Sequence, residues 1–190
     1  MPKKPATPEP LRNDSELKII GGTMRGRKLN YHGDPVTRPM KHRVREAIFN
    51  LIGVEAKGRH AFDLFAGTGA LGIEALSRGA ERLTLIERHI PTSRVIRQNL
   101  AELGVIEQSE LLETSALLWG QWLVFISPPY SFFVDRVAEM LALITALQTH
   151  APEQSTLVVE TDQRFDFTPL GDAWDVREYP PARVGLWRKS

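Results

Sequence analysis

Three short stretches carry the side chains with the most chemical potential. "DLFAGTGALGIEA" sets Asp63 ahead of Gly67, Gly69 and Gly72. "RLTLIE" ends on Glu87, twenty residues after Gly67. "SPPY", Ser127 to Tyr130, closes the apolar run "WLVFI". A glycine-rich loop between a strand and a helix lets the backbone approach a nucleotide, and an acid at the next strand's end can hold ribose hydroxyls. Asp63 narrows the choice of nucleotide. An anion before the glycines repels a pyrophosphate and suits a cation.

Phe65 and Ala66 also make the loop longer than the tight turn of a dinucleotide site. The pattern Asp63-x-Phe65-x-Gly67-x-Gly69 has the layout of a methyltransferase first motif, whose cofactor is S-adenosylmethionine with its cationic amino-acid end. Gly67 and Gly69 then admit the cofactor closely, and Glu87 takes the ribose diol. No Gly-Lys-Ser/Thr triplet of a Walker loop occurs.

"SPPY" raises a separate question, because two prolines follow a run that reads as a buried strand. Neither has an N–H, and each holds the residue before it extended. Such a turn aims carbonyls and the Ser127 hydroxyl outward with few competing donors. The exocyclic amine of a nucleobase needs acceptors of that kind, since its lone pair is delocalised into the ring. Tyr130 offers a face for a flipped base, worth roughly 1–3 kcal/mol. Ser127, Pro128, Pro129 and Tyr130 are therefore the expected catalytic turn. Phe132 and Phe133 are assigned to packing.

The elements that position these groups alternate. Strands are expected at 60–65, 82–87, 110–114, 122–127 and 155–161, with helices at 69–79, 91–104 and 134–149 and a helical turn at 115–120 between them. "WDVREY" and "ARVGLWR" follow without a helix and predict an antiparallel hairpin. Alternation of this kind gives a parallel sheet covered on both faces. Ligands in such sheets bind at the carboxyl ends of the strands, where Asp63, Glu87 and Ser127 all fall. Upstream, residues 17–31 read as two short strands around a turn, and 39–53 as a helix. The expected organisation is a disordered tail over 1–16, a basic hairpin and helix over 17–53, and a catalytic domain over 54–190.

Composition excludes several classes. The chain has 190 residues, 42% hydrophobic and 25% charged, as a globular protein does. It has no cysteine, so disulfides and thiolate chemistry are absent. No long apolar run is present, and "MPKKPATPEP" has no apolar segment behind its lysines, so a cytoplasmic location is expected. No metal site is expected. Residues 1–50 hold 11 Lys and Arg against 5 Asp and Glu, whereas the other 140 hold 13 against 18. Charge segregated in this way suggests a basic arm that meets a polyanion.

"KIIGGTMRGRKL", "TRPMKHRVREAIFNLI", "DLFAGTGALGIEALSRGA" and "SPPY" occur in one order. Together they resemble the bacterial 16S ribosomal RNA guanine-N2 methyltransferases of the RsmD type, over residues 18–188. The resemblance implies a Rossmann-like class I methyltransferase: a seven-stranded, mainly parallel α/β sheet with a C-terminal antiparallel hairpin and an N-terminal basic β-hairpin. It implies transfer from S-adenosylmethionine to the N2 amine of one guanine in the small ribosomal subunit. A monomer without membrane or metal is expected. Asp63, Phe65, Ala66, Gly67, Thr68 and Gly69 line the cofactor pocket in this reading, with Glu87 and Arg88 beside them. Ser115 and Ala116 lie near the adenine, and Arg38 approaches from the N-terminal side. Arg25, Arg27, Lys28, Lys41 and Arg43 face RNA phosphates.

The chain departs from the family pattern at three places. Ser127 stands where the family has Asp, Ser115 precedes Ala116 where it has Asp-Ala, and Met40 follows Arg38-Pro39 in place of Thr. Restoring Asp at 127 is expected to keep or raise activity. Rival readings are an amino-methyltransferase acting on adenine N6, cytosine N4 or a protein glutamine, an RNA-binding homologue that has lost catalysis, and a nicotinamide oxidoreductase.

Overall fold

The apolar run Trp122–Ile126 is buried at every position, as a strand covered on both faces must be. It lies mid-sheet in a computed structural model that describes residues 17–31, 40–112 and 121–190. The chain order is α1 (His42–Ile52), β1 (His60–Asp63), α2 (Ala70–Ser77), β2 (Arg82–Ile86), α3 (Ile90–Leu103), β3 (Ser109–Leu112), β4 (Trp122–Ile126), α4 (Phe132–Asp135), α5 (Val137–His150), β5 (Thr156–Asp162), β6 (Asp175–Tyr179) and β7 (Ala182–Arg188). The sheet order is β3-β2-β1-β4-β5-β7-β6. The first five strands are parallel, and β7 runs antiparallel to both β5 and β6. This is the expected seven-stranded architecture.

The period of two along each strand divides the core into two layers. Leu123, Phe125 and Val158 join Ile48, Phe49, Ile73 and Leu85 on one face. Val124, Ile126, Leu157 and Val159 join Phe62, Phe133 and Ile144 on the other. Ile19 and Leu29 belong to the first layer, so residues 17–31 share a core with the sheet.

Two expectations are refined. Residues 17–31 pair as a short hairpin, through the Lys18–Lys28 bridge and through hydrogen bonds from Ile19 N–H to Arg27 O, Gly26 N–H to Ile19 O and Leu29 N–H to Leu17 O, but they form no extended strands. Other backbone groups of the segment turn to the helices beneath. The N–H groups of Ile20 and Gly21 donate to Glu74, those of Thr23 and Met24 to Ser77, and that of Asn30 to Asn99. The helix expected over 134–149 starts earlier and is broken in two. Arg136, at φ −134°, separates α4 from α5, and its guanidinium lies over the Phe132 ring. The turn expected at 115–120 lies outside the described residues.

Glycine is required where the N-terminal turn meets α2. Gly22 has φ +75°, and a Cβ there would lie 1.8 Å from the Ser77 carbonyl oxygen. The seat itself is ionic. Glu74 is fully buried between Arg45, at 3.8 Å, and Arg78, at 2.8 Å.

Candidate active site and basic arm

The chain leaves β1 for β2 on one side, while β4 lies on the other. A doubly wound sheet opens its ligand crevice at such a switch point. The glycine loop spans it: the Leu64 N–H donates to Phe125 O of β4 at 3.1 Å, and the Ala66 N–H to Ile86 O of β2 at 3.0 Å. Gly69, at φ 74°, turns the loop into α2 in a left-handed conformation that favours glycine.

Asp63 is sealed beneath this loop, at 1% exposure. Its Oδ2 accepts the Gly72 N–H at 3.1 Å, while Oδ1 has no well-aligned hydrogen-bond partner. Burial pushes its carboxyl up to about 7; the backbone N–H of Gly72 and, less strongly, that of Phe65 oppose this, and the Glu87 charge adds to it. A buried, unmatched acceptor beside a second acid fits a cationic ligand. Glu87 is fixed at the end of β2, with Oε2 accepting the Gly67 N–H at 2.9 Å and Oε1 the His89 N–H at 2.7 Å. A carboxylate has further lone pairs, which leaves capacity for the hydroxyls of a ribose. Ala66, Thr68 and Gly69 are buried, Phe65 and Gly67 are half-buried, and Arg88 is exposed beyond Glu87. Arg38, Ser115 and Ala116 lie outside the described residues.

"SPPY" follows β4 directly, so it opens on the same edge of the sheet. Phe65 of the glycine loop meets Phe132 edge-on, with ring centroids 6.2 Å apart. That contact ties the two halves of the crevice together. The Pro129 and Tyr130 carbonyls accept the Phe132 and Phe133 N–H groups and start α4. Among the described residues, no backbone N–H donates to the Pro128 carbonyl.

Sequence reading missed Glu160. It lies near the end of β5, 6% exposed, and β5 pairs with β4 so that Ile126 sits opposite Val159. One step on, Ser127 Oγ donates to Glu160 Oε2 at 2.7 Å, and the Tyr130 hydroxyl donates to Oε1. Burial raises the Glu160 carboxyl above its ordinary range, against the two hydroxyl hydrogen bonds and with the Asp162 charge. The same burial, with the Glu160 contact, raises the Tyr130 phenol. A Ser127→Asp change therefore sets two carboxylates side by side, and one of them must hold a proton.

The basic residues divide between the two edges of the sheet. Arg43 donates to Pro180 O at 2.7 Å, in the β6–β7 turn, and the start of β7 pairs with the end of β5 at Asp162. Lys41 and Arg43 thus sit at the crevice edge. Arg25, Arg27 and Lys28 are exposed at the other edge, because the turn that carries them rests on the C-terminal ends of α2 and α3. Arg27 donates to the carbonyls of Glu102, at 2.5 Å, and Leu103, at 3.3 Å. A cation there offsets the helix dipole and satisfies terminal carbonyls. Between the arm and α1 runs an open cleft of about 450 Å³ lined in part by Lys18, Arg25, His42 and Arg78.

With this geometry in place, comparison with known proteins is decisive about ancestry. The family model "Conserved hypothetical protein 95" matches residues 17–179. The chain belongs to this family, of the RsmD type. The YlbH protein of Bacillus subtilis (strain 168) is 31% identical over 185 residues, 91% of this chain and 99% of that one. Ribosomal RNA small subunit methyltransferase D of Escherichia coli (strain K12) is 38% identical over 121 residues, 60% of this chain and 61% of that protein. Among solved structures, the 16S rRNA N2 G1207 methyltransferase of T. thermophilus, in complex with AdoMet and guanosine, superposes with a TM-score of 0.68 at 17% identity, over 93% of this chain and 50% of that one. That likeness is one of fold: this RsmD-type chain has the Rossmann-like class I methyltransferase architecture.

Proposed function

We propose that this protein transfers a methyl group from S-adenosylmethionine to the exocyclic N2 amine of a guanine in small-subunit ribosomal RNA. One observation carries the reading: a cluster of hydroxyl and carbonyl acceptors, Ser127, Pro128 and Tyr130, tied by Phe65 and Phe132 to a glycine loop that holds two acids. The small-subunit RNA specificity of the Escherichia coli relative and the guanosine complex of the T. thermophilus enzyme support it.

S-adenosylmethionine, held by the glycine loop, Asp63 and Glu87, would supply an electrophilic methyl carbon for the amine's lone pair. The chain's residues do the rest. Asp63 places negative charge beneath the loop, and Glu87 orients the ribose. Ser127 and the Pro128 carbonyl accept the amine's N–H bonds and aim its lone pair, while Tyr130 supports the base. Catalysis then rests on positioning and electrostatics.

The test is single-turnover transfer of labelled methyl to small ribosomal subunits that lack the modification, followed by mass spectrometry of nuclease fragments. The expected product is one N2-methylguanosine per subunit. Transfer to DNA or to a glutamine peptide in place of RNA would refute the substrate.

A further inference from the structure

Glu160 is a buried acid with two hydroxyl partners. Among the described residues no cation pairs with it. The nearest arginines in sequence are matched elsewhere: Arg164 with Asp162 at 2.6 Å, and Arg183, opposite Thr161 on β7, with Glu178 at 2.7 Å. A buried carboxylate without a cation is costly, and a purely structural role is served better by an amide or an apolar side chain. Its two oxygens are instead taken by two hydroxyls, both from the turn at the mouth of the crevice.

That arrangement fixes the direction of both O–H groups. A free serine hydroxyl rotates and can offer either its hydrogen or its lone pairs. Here the hydrogen of Ser127 points at Glu160, so its lone pairs are left for a donor on the other side. The Tyr130 hydroxyl is fixed in the same way. A carboxylate behind a hydroxyl also makes its oxygen a stronger acceptor.

We infer that Glu160 is a positioning residue for methyl transfer: it holds the oxygen of Ser127 as an acceptor for the target amine, fixes Tyr130 beside it, and receives that amine's proton through Ser127. The inference rests on the reading of the crevice as an amine methyltransferase site. The proton count closes. The methylated nitrogen carries four bonds and a positive charge, and it passes one proton to Ser127 Oγ. Ser127 passes its own proton to Glu160, whose carboxylate becomes the neutral acid and later returns the proton to water. Ser127 and Glu160 together thus do what a single carboxylate at position 127 could do directly.

The test uses the full chain and unmethylated small ribosomal subunits. Glu160→Gln keeps the shape and removes the charge. Its single-turnover rate at saturation should fall by about 100-fold or more, the range for a displaced proton acceptor. Affinity for cofactor, by calorimetry, and for subunits without cofactor should stay within about twofold, which a general loss of structure would not allow. The deciding variant is Ser127→Asp in the Glu160→Gln background, which returns a carboxylate to the amine's side. It should recover about tenfold or more of the lost rate. Wild-type speed in Glu160→Gln, a loss confined to affinity, or no recovery in the double variant would each overturn the inference. If Glu160→Gln does not fold, Glu160→Asp, which keeps charge but withdraws it by one methylene, takes its place with the same Ser127→Asp comparison. A wild-type protein that transfers nothing to subunits would instead overturn the reading of the whole site, and the wild-type control separates the two failures.

Discussion

Asp63→Asn separates the cost of the cofactor pocket from its use. The ordinary carboxyl value is 3.8, and burial moves Asp63 to about 7. A group raised in the folded state stabilises fully below its unfolded value, and that contribution is lost as pH rises toward the folded value. For Asp63 the window is therefore about pH 4 to 7. One pKa unit corresponds to ~1.4 kcal/mol, so the ligand-free protein should lose on the order of 4 kcal/mol from this one site across that window. Asparagine is neutral throughout. Its Oδ1 can keep the Gly72 hydrogen bond, but its amide replaces the unpartnered Oδ1 of Asp63 with an unpartnered donor, a cost of about 1–3 kcal/mol. The net gain at pH 8 is then about 1–3 kcal/mol, and near pH 4 it vanishes or reverses. At ~2–4 °C per kcal/mol for a chain of this size, melting curves of wild type and variant should converge or cross at low pH and separate by several degrees at pH 8.

The use of the pocket is read by calorimetry. The cation of S-adenosylmethionine favours the ionised carboxyl, so wild-type binding near pH 7 should release more protons than binding to Asp63→Asn, and the variant should lose most of its affinity. Titrations in two buffers of different ionisation enthalpy give that proton number directly. A melting difference that does not change between pH 4 and 8, together with unaltered affinity, would remove Asp63 from the pocket.

Four further outcomes follow from named contacts. Tyr130→Ala should lose both subunit binding and turnover, the binding part by roughly 1–3 kcal/mol if the base stacks on the ring; filter binding and single-turnover assays measure the two. Ser127→Ala should slow transfer at least as much as Glu160→Gln in the same assay, because the proton's path to Glu160 runs through Ser127 Oγ. Gly22→Ala should lift residues 17–31 from α2 and expose them to limited proteolysis, leaving cofactor affinity unchanged. Arg27→Gln should lower stability by about 0.3–1 kcal/mol through the end of α3, seen in denaturant melts, with a smaller effect on the salt dependence of RNA binding than Arg25→Gln.

The parallel sheet was legible because its central strands must be apolar on both faces; "WLVFI" and "STLVVET" have no other home. Asp63, the glycines and Glu87 were legible because a single β-loop-α-β unit places them, and local spacing reports local geometry. Glu160 was not, because only the pairing of β4 with β5 brings it to Ser127, across 33 positions. The signal that could have found it is an acid inside a run of β-branched residues, at the strand end where ligands bind. Arg27 was read as part of a phosphate grip because charge alone does not reveal a helix end. Its carbonyl partners on α3 lie 75 and 76 positions away. The "IIGG" segment is legible in part for a similar reason: its hairpin pairing is local, but the close approach of Gly22 to Ser77 depends on a helix more than fifty positions away.

The two edges of the sheet set a length for the substrate. The Ser127–Tyr130 turn, Lys41 and Arg43 lie at the carboxyl edge of the parallel strands, and Arg25 and Lys28 at the other. The 14 residues of α3 separate those edges by roughly 20 Å at 1.5 Å per residue. The cleft between the arm and α1, lined by Glu46 as well as by Lys18, Arg25, His42 and Arg78, lies along that path. An RNA that only fills the crevice cannot reach the arm. A short oligonucleotide carrying the target guanine should therefore bind with a shallow dependence on salt, and removing Arg25 and Lys28 should not change that slope. Small subunits should bind with a steeper dependence, and the same double substitution should reduce their slope by about one to two, near one for each phosphate that a side chain no longer neutralises. Equal slopes for both substrates, or equal effects of the double substitution on both, would place the arm outside the RNA path and leave it as a cover for α2 and α3.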